Sequence, residues 1–382
     1  MIIAVPKEIM AGEKRVAGVP DVVSKLVKAG FEVHVEKDAG INAGFTDESY
    51  QSSEAKIVAN EEELLSNADI VLKVQRPLDN PAFNKNELDL MKKDALLITF
   101  MYALSYPDFV KQCAAKGINL IAMDMIPRTT LAQKMDALSS QANISGYKSV
   151  IICADLLGKM FPLMMTAAGT ISPARVVIMG AGVAGLQALG TAKRLGAVVE
   201  VSDIRPTVKE EVQSLGGKFI EVETDKSMQD ERGYAKEASQ EFLEKQKTLI
   251  FKHITEADIV ITTALVPGKK APILVTEEMV KKMKPGSVVL DMAVEFGGNC
   301  EVSEKDKTIK KYDVTIVGES NLPSLVPFHA SEMYSKNLLN LLLYISKGGN
   351  VQLNLEDEIV KNSLVAHNGE VVNPRIKDLL NA

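Results

Sequence analysis

Arg175-Val-Val-Ile-Met-Gly180-Ala-Gly182-Val-Ala-Gly185 is the stretch that decides how this chain is read. A β-prone run passes directly into Gly-x-Gly-x-x-Gly, and a helix-forming segment, Leu186–Leu195, follows at once. Each glycine has its own task. Gly180 permits a tight turn, Gly182 lets the backbone approach a pyrophosphate, and Gly185 lets helix and strand pack closely. Val183 and Ala184 belong to the same turn, where the exposed N–H groups of the helix start face the phosphates. Alone, such a pattern is weak, and a glycine-rich packing turn is the competing interpretation. The next strand, Val198–Ser202, strengthens it by ending at Asp203, 23 residues beyond Gly180. A carboxylate there accepts hydrogen bonds from an adenosine ribose and repels a 2′-phosphate, favouring NAD(H) over NADP(H). Ile204 lies beside it, and Arg205 tempers the preference.

Outward from the fingerprint, β-rich runs alternate with helical ones at Lys218–Glu221, Asp258–Thr262, Ser287–Asp291 and Val314–Val317. An earlier series does the same at Ile2–Val5, Phe31–Val35, Ile70–Val74, Leu96–Met101 and Ile118–Met123. Strands alternating with helices imply crossover units and parallel sheets. A long stretch with few breakers, from about Leu138 to Thr166, predicts a helix bridging two domains. Ser331–Ile345, dense in leucine, predicts a helix returning the chain to the first domain, with the tail after Gly348 packed there. The expected architecture is α/β: two Rossmann-like, doubly wound parallel-sheet domains, the second inserted into the first, with a cofactor cleft between them. The boundaries fall at 1–137 plus 330–382 for the first domain and 138–329 for the second. Glu221–Lys247, rich in Glu, Lys, Asp and Gln around Gly233 and Tyr234, is either a solvated loop and charged helix or a lid over a ligand.

Composition narrows the function. At 382 residues the chain exceeds what one core usually supports. A net charge of -6 and a pI near 5.5 argue against nucleic acid as a partner, since neutralising phosphates needs a basic face. No apolar run is long enough to span a bilayer, and Met1–Lys7 lacks the layout of a signal peptide. Three scattered cysteines (Cys113, Cys153, Cys300) fit a reducing, cytoplasmic setting, and the four histidines show no metal-ligand spacing, so no metal is expected. A polar cluster precedes the long helix: Pro127-Arg128, Gln133, Asp136, Ser139, Ser140 and Gln141. Helix capping and surface charge account for it without invoking function. No nucleophile–base or paired-carboxylate set stands out.

Several longer motifs carry a resemblance. Pro6-Lys-Glu, Lys14-Arg-Val-Ala, Val71-Leu-Lys-Val-Gln-Arg-Pro, Met164-Met-Thr-Ala-Ala-Gly-Thr and Ile261-Thr-Thr-Ala-Leu resemble the alanine dehydrogenase/transhydrogenase superfamily along essentially the whole chain. Within it, Pro127-Arg128, Gln133-Lys-Met-Asp136, Leu138-Ser-Ser-Gln141, Gly233-Tyr234-Ala-Lys and Asp291-Met-Ala-Val-Glu-Phe-Gly-Gly-Asn-Cys are similar to the NAD(H)-binding component of proton-translocating transhydrogenases. The resemblance implies that Arg128, Gln133, Asp136 and Ser139 hold the nicotinamide end. It assigns the rest of the cofactor to Gly180, Gly182, Val183, Ala184, Gly185, Asp203, Ile204, Arg205, Thr263, Ala264 and Leu265, with Tyr234 closing a lid. It also implies direct hydride transfer to NADP(H) on a separate component, membrane-spanning proton-channel subunits, a homodimer, and a cytoplasmic chain peripheral to the membrane. Transfer between two cofactors needs juxtaposition and water exclusion, not a general acid or base.

Two rivals remain. Alanine dehydrogenases share the resemblance, and Arg15 and Lys73 occupy positions where those enzymes hold the substrate carboxylate and carbonyl. They also need a histidine and an aspartate, where this chain has Phe100 and Glu295, and phenylalanine cannot shuttle a proton. The other rival is a non-catalytic NAD(H)-binding module, which needs the same glycines.

Overall fold

The computed structural model describes residues 1–221 and 240–381. The chain divides into two compact units, Met1–Gln141 with Pro323–Ala382, and Ala142–Leu322. The second is thus inserted into the sequence of the first.

The first unit is built on an eight-stranded sheet. Ile2–Val5 pairs in parallel with Glu32–Glu36 on one side and Ile70–Leu72 on the other. Lys56–Val58 extends the first side, while Leu96–Thr99 and Asn119–Ala122 extend the second, all in parallel. The chain therefore winds outward from a central first strand in both directions, the doubly wound arrangement the alternating pattern predicts. The tail closes the far edge with two antiparallel strands, Leu364–His367 against Asn119–Ala122 and Glu370–Val371 beyond it. Their short apolar runs carry no helix-strand alternation, so the sequence offered no sign of them. The central strands are apolar on both faces because helices cover both: Ile3 and Val5 join one buried cluster and Ala4 the other. Pro327–Ile345, the leucine-rich helix, packs Leu338, Leu341 and Leu342 fully buried into the first cluster.

The second unit repeats the winding. Its seven-stranded sheet runs Lys218–Phe219, Val198–Ser202, Arg175–Met179, Ile259–Thr262, Val288–Asp291, Val314–Gly318 and Lys307–Lys311. Only the last pairing is antiparallel. Strand order reverses beside Arg175–Met179, so the crevice for a ligand opens at its carboxyl end.

One expectation is corrected. The long helix spans Ala137–Leu156 and does not continue to Thr166. Gly158 and Pro162 break the pattern, and Met164–Thr166 and Gly169–Ile171 form a separate antiparallel hairpin. Among the described residues no helix is long and apolar enough to cross a membrane.

Candidate functional site

The fingerprint takes the shape its spacing requires. Gly180 has φ +114, a region that favours glycine, and a β-carbon there would lie 2.4 Å from Thr263 Oγ1. A β-carbon on Gly185 would lie 1.9 Å from the Gly180 carbonyl oxygen, so helix and turn meet backbone to backbone. Gly182 is different: a β-carbon there would meet nothing within 4 Å. That open space is where a pyrophosphate needs to approach. The helix Val183–Arg194 begins immediately after it, and its first helical bond is donated by the Leu186 N–H to the Gly182 carbonyl at 2.9 Å. The amides of Val183, Ala184 and Gly185 precede that bond and present the positive end of the helix dipole. Gly146 on the long helix sits tightly on this turn, where a β-carbon would come within 2.2 Å of the Ala184 carbonyl oxygen.

Asp203 ends the neighbouring strand and reaches back to the turn, accepting the Ala181 N–H at 2.7 Å. Arg205 donates to both of its oxygens, from Nε at 3.0 Å and Nη2 at 3.0 Å, and its backbone N–H donates at 2.8 Å. Burial works to raise the Asp203 carboxyl, but these hydrogen bonds and the guanidinium outweigh it and hold it below the usual carboxylate range. The group is an anion at neutral pH. Its four acceptor positions are filled by Ala181 and Arg205, so a ribose diol must displace the arginine to reach it. The Arg205 side chain is half exposed, and Ile204 beside it is 92% exposed, an apolar surface on which a flat base can lie. Thr263 and Ala264 are half-buried and Leu265 exposed, at the carboxyl end of Ile259–Thr262. An open turn at Gly182, a helix start and an anchored carboxylate fit a dinucleotide such as NAD(H).

The polar cluster of the first unit has a clear local logic. Asp136 caps the long helix, accepting the Ser139 N–H at 2.9 Å and its hydroxyl at 2.6 Å. The bland capping role therefore exists, and it also holds Asp136 and Ser139 as one pair. Asn337 ties the loop down, accepting from the Ser140 hydroxyl at 2.7 Å and donating to the Lys134 carbonyl at 2.9 Å. Arg128, Leu131 and Gln133 remain exposed, and Thr130, Leu131, Gln133 and Lys134 line an open depression. Gly233 and Tyr234 lie outside the described residues.

Arg15 and Lys73 do not present free cations. Arg15 is buried and grips Glu13 through Nε at 2.8 Å and Nη2 at 2.7 Å, while Nη1 donates to Gln141 at 2.8 Å. Lys73 is fully buried, 2.5 Å from Glu87 and 3.5 Å from Glu8. The chain's own carboxylates meet both cations, Glu13 at Arg15 and Glu87 at Lys73. Phe100 is buried and stacks on Tyr334 at 5.0 Å and Tyr102 at 5.9 Å, and Glu295 pairs with Lys305. Glu87 lies 14 residues from Lys73 with nothing in that spacing to link them, whereas Glu13 is two residues from Arg15 and the pair stands out only because both are buried. Among the described residues no group of acidic, histidine or cysteine side chains could hold a metal ion.

Residues 4–145 match the family described as alanine dehydrogenase/PNT, N-terminal domain, and residues 149–374 match its C-terminal domain. The chain belongs to the alanine dehydrogenase/PNT family. Within that family it is 48% identical over 380 residues to the first part of the NAD(P) transhydrogenase alpha subunit of Rhodospirillum rubrum, covering 98% of this chain and 99% of that one. A solved transhydrogenase from Sinorhizobium meliloti superposes with a TM-score of 0.88 at 42% identity, covering 97% of this chain and all of that one. An L-alanine dehydrogenase is more distant, with a TM-score of 0.81 and 30% identity, covering 100% of this chain and 99% of its own. The family resemblance carried by the sequence motifs is thereby borne out.

Proposed function

We propose that this member of the alanine dehydrogenase/PNT family is the NAD(H)-holding subunit of a proton-translocating transhydrogenase. The observation that carries it is end-to-end similarity to proteins named as the first part of a transhydrogenase alpha subunit, joined to an intact dinucleotide turn. The cofactor supplies the chemistry, a hydride exchanged directly with NADP(H) on a partner component. This chain's residues bind and orient. Gly180, Gly182 and Gly185 with the amides of Val183 and Ala184 hold the pyrophosphate, Asp203 holds the ribose once Arg205 moves aside, and Ile204, Thr263, Ala264 and Leu265 border the dinucleotide. Arg128, Gln133, Asp136 and Ser139 hold the nicotinamide end. The partners are an NADP(H)-binding component and membrane-spanning proton-channel subunits, which place the chain peripherally on the cytoplasmic membrane face.

A homodimer belongs to the same reading. The hairpin Met164–Thr166 and Gly169–Ile171 is exposed throughout, including Leu163, Met164, Met165 at 78% and Ile171. A run of apolar side chains on a two-stranded hairpin marks an association surface, and a second copy satisfies it symmetrically.

Two titrations and a reconstitution test the proposal. NADH is expected to bind and NADPH to bind at least about tenfold more weakly, since Asp203 repels a 2′-phosphate. Mixed with an NADP(H)-binding component, the chain is expected to reduce an acetylpyridine analogue of NAD⁺ at the expense of NADPH. NADH binding without transfer would instead favour the non-catalytic module.

A further inference from the structure

We propose that Asn299 is a positioning residue for the nucleotide site, holding the segment that follows Ile259–Thr262 against the fingerprint turn. The inference rests on the NAD(H) reading and extends it to a residue that touches no cofactor.

Its geometry is that of a peptide group made from a side chain. Asn299 is fully buried. Its Oδ1 accepts the Ala264 N–H at 3.0 Å, while Nδ2 donates to the Ala264 carbonyl at 2.9 Å and the Pro272 carbonyl at 2.8 Å. One amide thus satisfies both backbone groups of Ala264, as a neighbouring strand would, and closes the base of the exposed run Leu265–Lys270 at both ends. A carboxamide carries a donor and an acceptor on one plane without depending on pH. The residue itself cannot drift. Its N–H donates to Asp291 Oδ2 at 2.9 Å, and its carbonyl accepts from Leu274 at 2.8 Å and Val275 at 3.0 Å.

Asp291 anchors the arrangement from the end of its strand. Fully buried, it also accepts from Ala293, Cys300, Ser303 and Thr262. On the other side, Thr263 donates its N–H to the Met179 carbonyl at 2.9 Å and its hydroxyl to the Gly180 carbonyl at 3.3 Å, 2.4 Å from where a Gly180 β-carbon would lie. A continuous chain of bonds therefore runs from Asp291 through Asn299 and Ala264 to Thr263 and Gly180. Freeing Ala264 loosens Thr263 beside the turn that has to be rigid to receive a diphosphate.

The test uses the full chain with Asn299→Ser and Asn299→Asp. NADH affinity is read from dihydronicotinamide fluorescence and local order from amide hydrogen exchange over residues 264–272. Both variants are expected to exchange faster there and to bind NADH about tenfold more weakly, the effect of a lost buried bond pair. Asn299→Asp is expected to regain affinity between pH 8 and pH 5.5, because a protonated carboxyl donates again, while Asn299→Ser and the wild type show no such recovery. If the aspartate variant does not fold, the serine variant decides. Unchanged NADH affinity in a folded variant, or weaker binding with unaltered exchange, overturns the role. Wild-type protein that binds no NADH would sink the NAD(H) reading itself, a result distinct from a variant that binds as well as wild type.

Discussion

Glu61 is buried, and while Asn80 donates to one of its oxygens, Oε1 has no hydrogen-bond partner among the described residues. Burial first, and the Glu87 carboxylate beside it second, push its carboxyl up to about 8. Glu8 is raised to about 7 by burial, with Lys73 opposing and Glu87 and Glu13 reinforcing. Four acids with buried side chains, Glu8, Glu13, Glu61 and Glu87, surround two buried cations, so protonation of the surplus acids balances the cluster. The consequence for stability has a definite sign. Folded pKa values above the unfolded carboxyl value of about 4.5 mean the native state holds extra protons, so stability falls as pH rises from about 4.5 to 8. A neutral isostere removes that cost. Urea unfolding is expected to show Glu61→Gln gaining on wild type by on the order of a few kcal/mol at pH 8.5 and little at pH 5. Equal gains at both pH values would mean that Glu61 carries no proton in the folded state.

At the scale of elements, the hairpin Met164–Thr166 and Gly169–Ile171 stands apart from the sheets. A helix continuing to Thr166 would have buried its apolar positions on one face. As strands with a turn at Ala167–Ala168, the same residues expose Leu163, Met164, Met165 and Ile171. Charge on that surface opposes its burial against a second copy. Met165→Asp combined with Leu163→Asp is expected to convert a dimer to a monomer in light scattering, with NADH affinity changed less than about threefold because the fingerprint turn is untouched. A variant that stays dimeric would remove the hairpin from the interface.

For the whole molecule, the question is which chemistry an alanine dehydrogenase-like frame supports. Amino-acid oxidation requires proton transfers as well as hydride transfer. Here Arg15 is held by Glu13, Lys73 by Glu87, and Phe100 is packed between aromatic rings. A substrate carboxylate would have to displace a buried, bidentate partner, which leaves an unpaired buried charge behind. Alanine-dependent NAD⁺ reduction is expected to be undetectable, at least about a thousandfold below the transhydrogenase rate measured with partner components. Measurable alanine turnover would restore the dehydrogenase as the better account.

The sequence by itself determined the winding of both sheets, because apolar runs alternating with amphipathic ones specify strands, crossovers and burial locally. It determined the phosphate turn too, since Gly180, Gly182, Gly185 and Asp203 lie within a few dozen residues whose spacing is set by one strand–helix–strand unit. The antiparallel strands Lys307–Lys311, Leu364–His367 and Glu370–Val371 were not legible, being short and defined only by the neighbours they pair with. Only the tertiary structure decided that Glu13 and Glu87 neutralise Arg15 and Lys73, and that Asn299 mirrors the backbone of Ala264. The physical reason is common to these cases. A buried charge or amide takes its meaning from the group placed opposite it, and that partner lies 14 residues away for Glu87 with Lys73 and 35 for Asn299 with Ala264, on separate elements that only folding brings together.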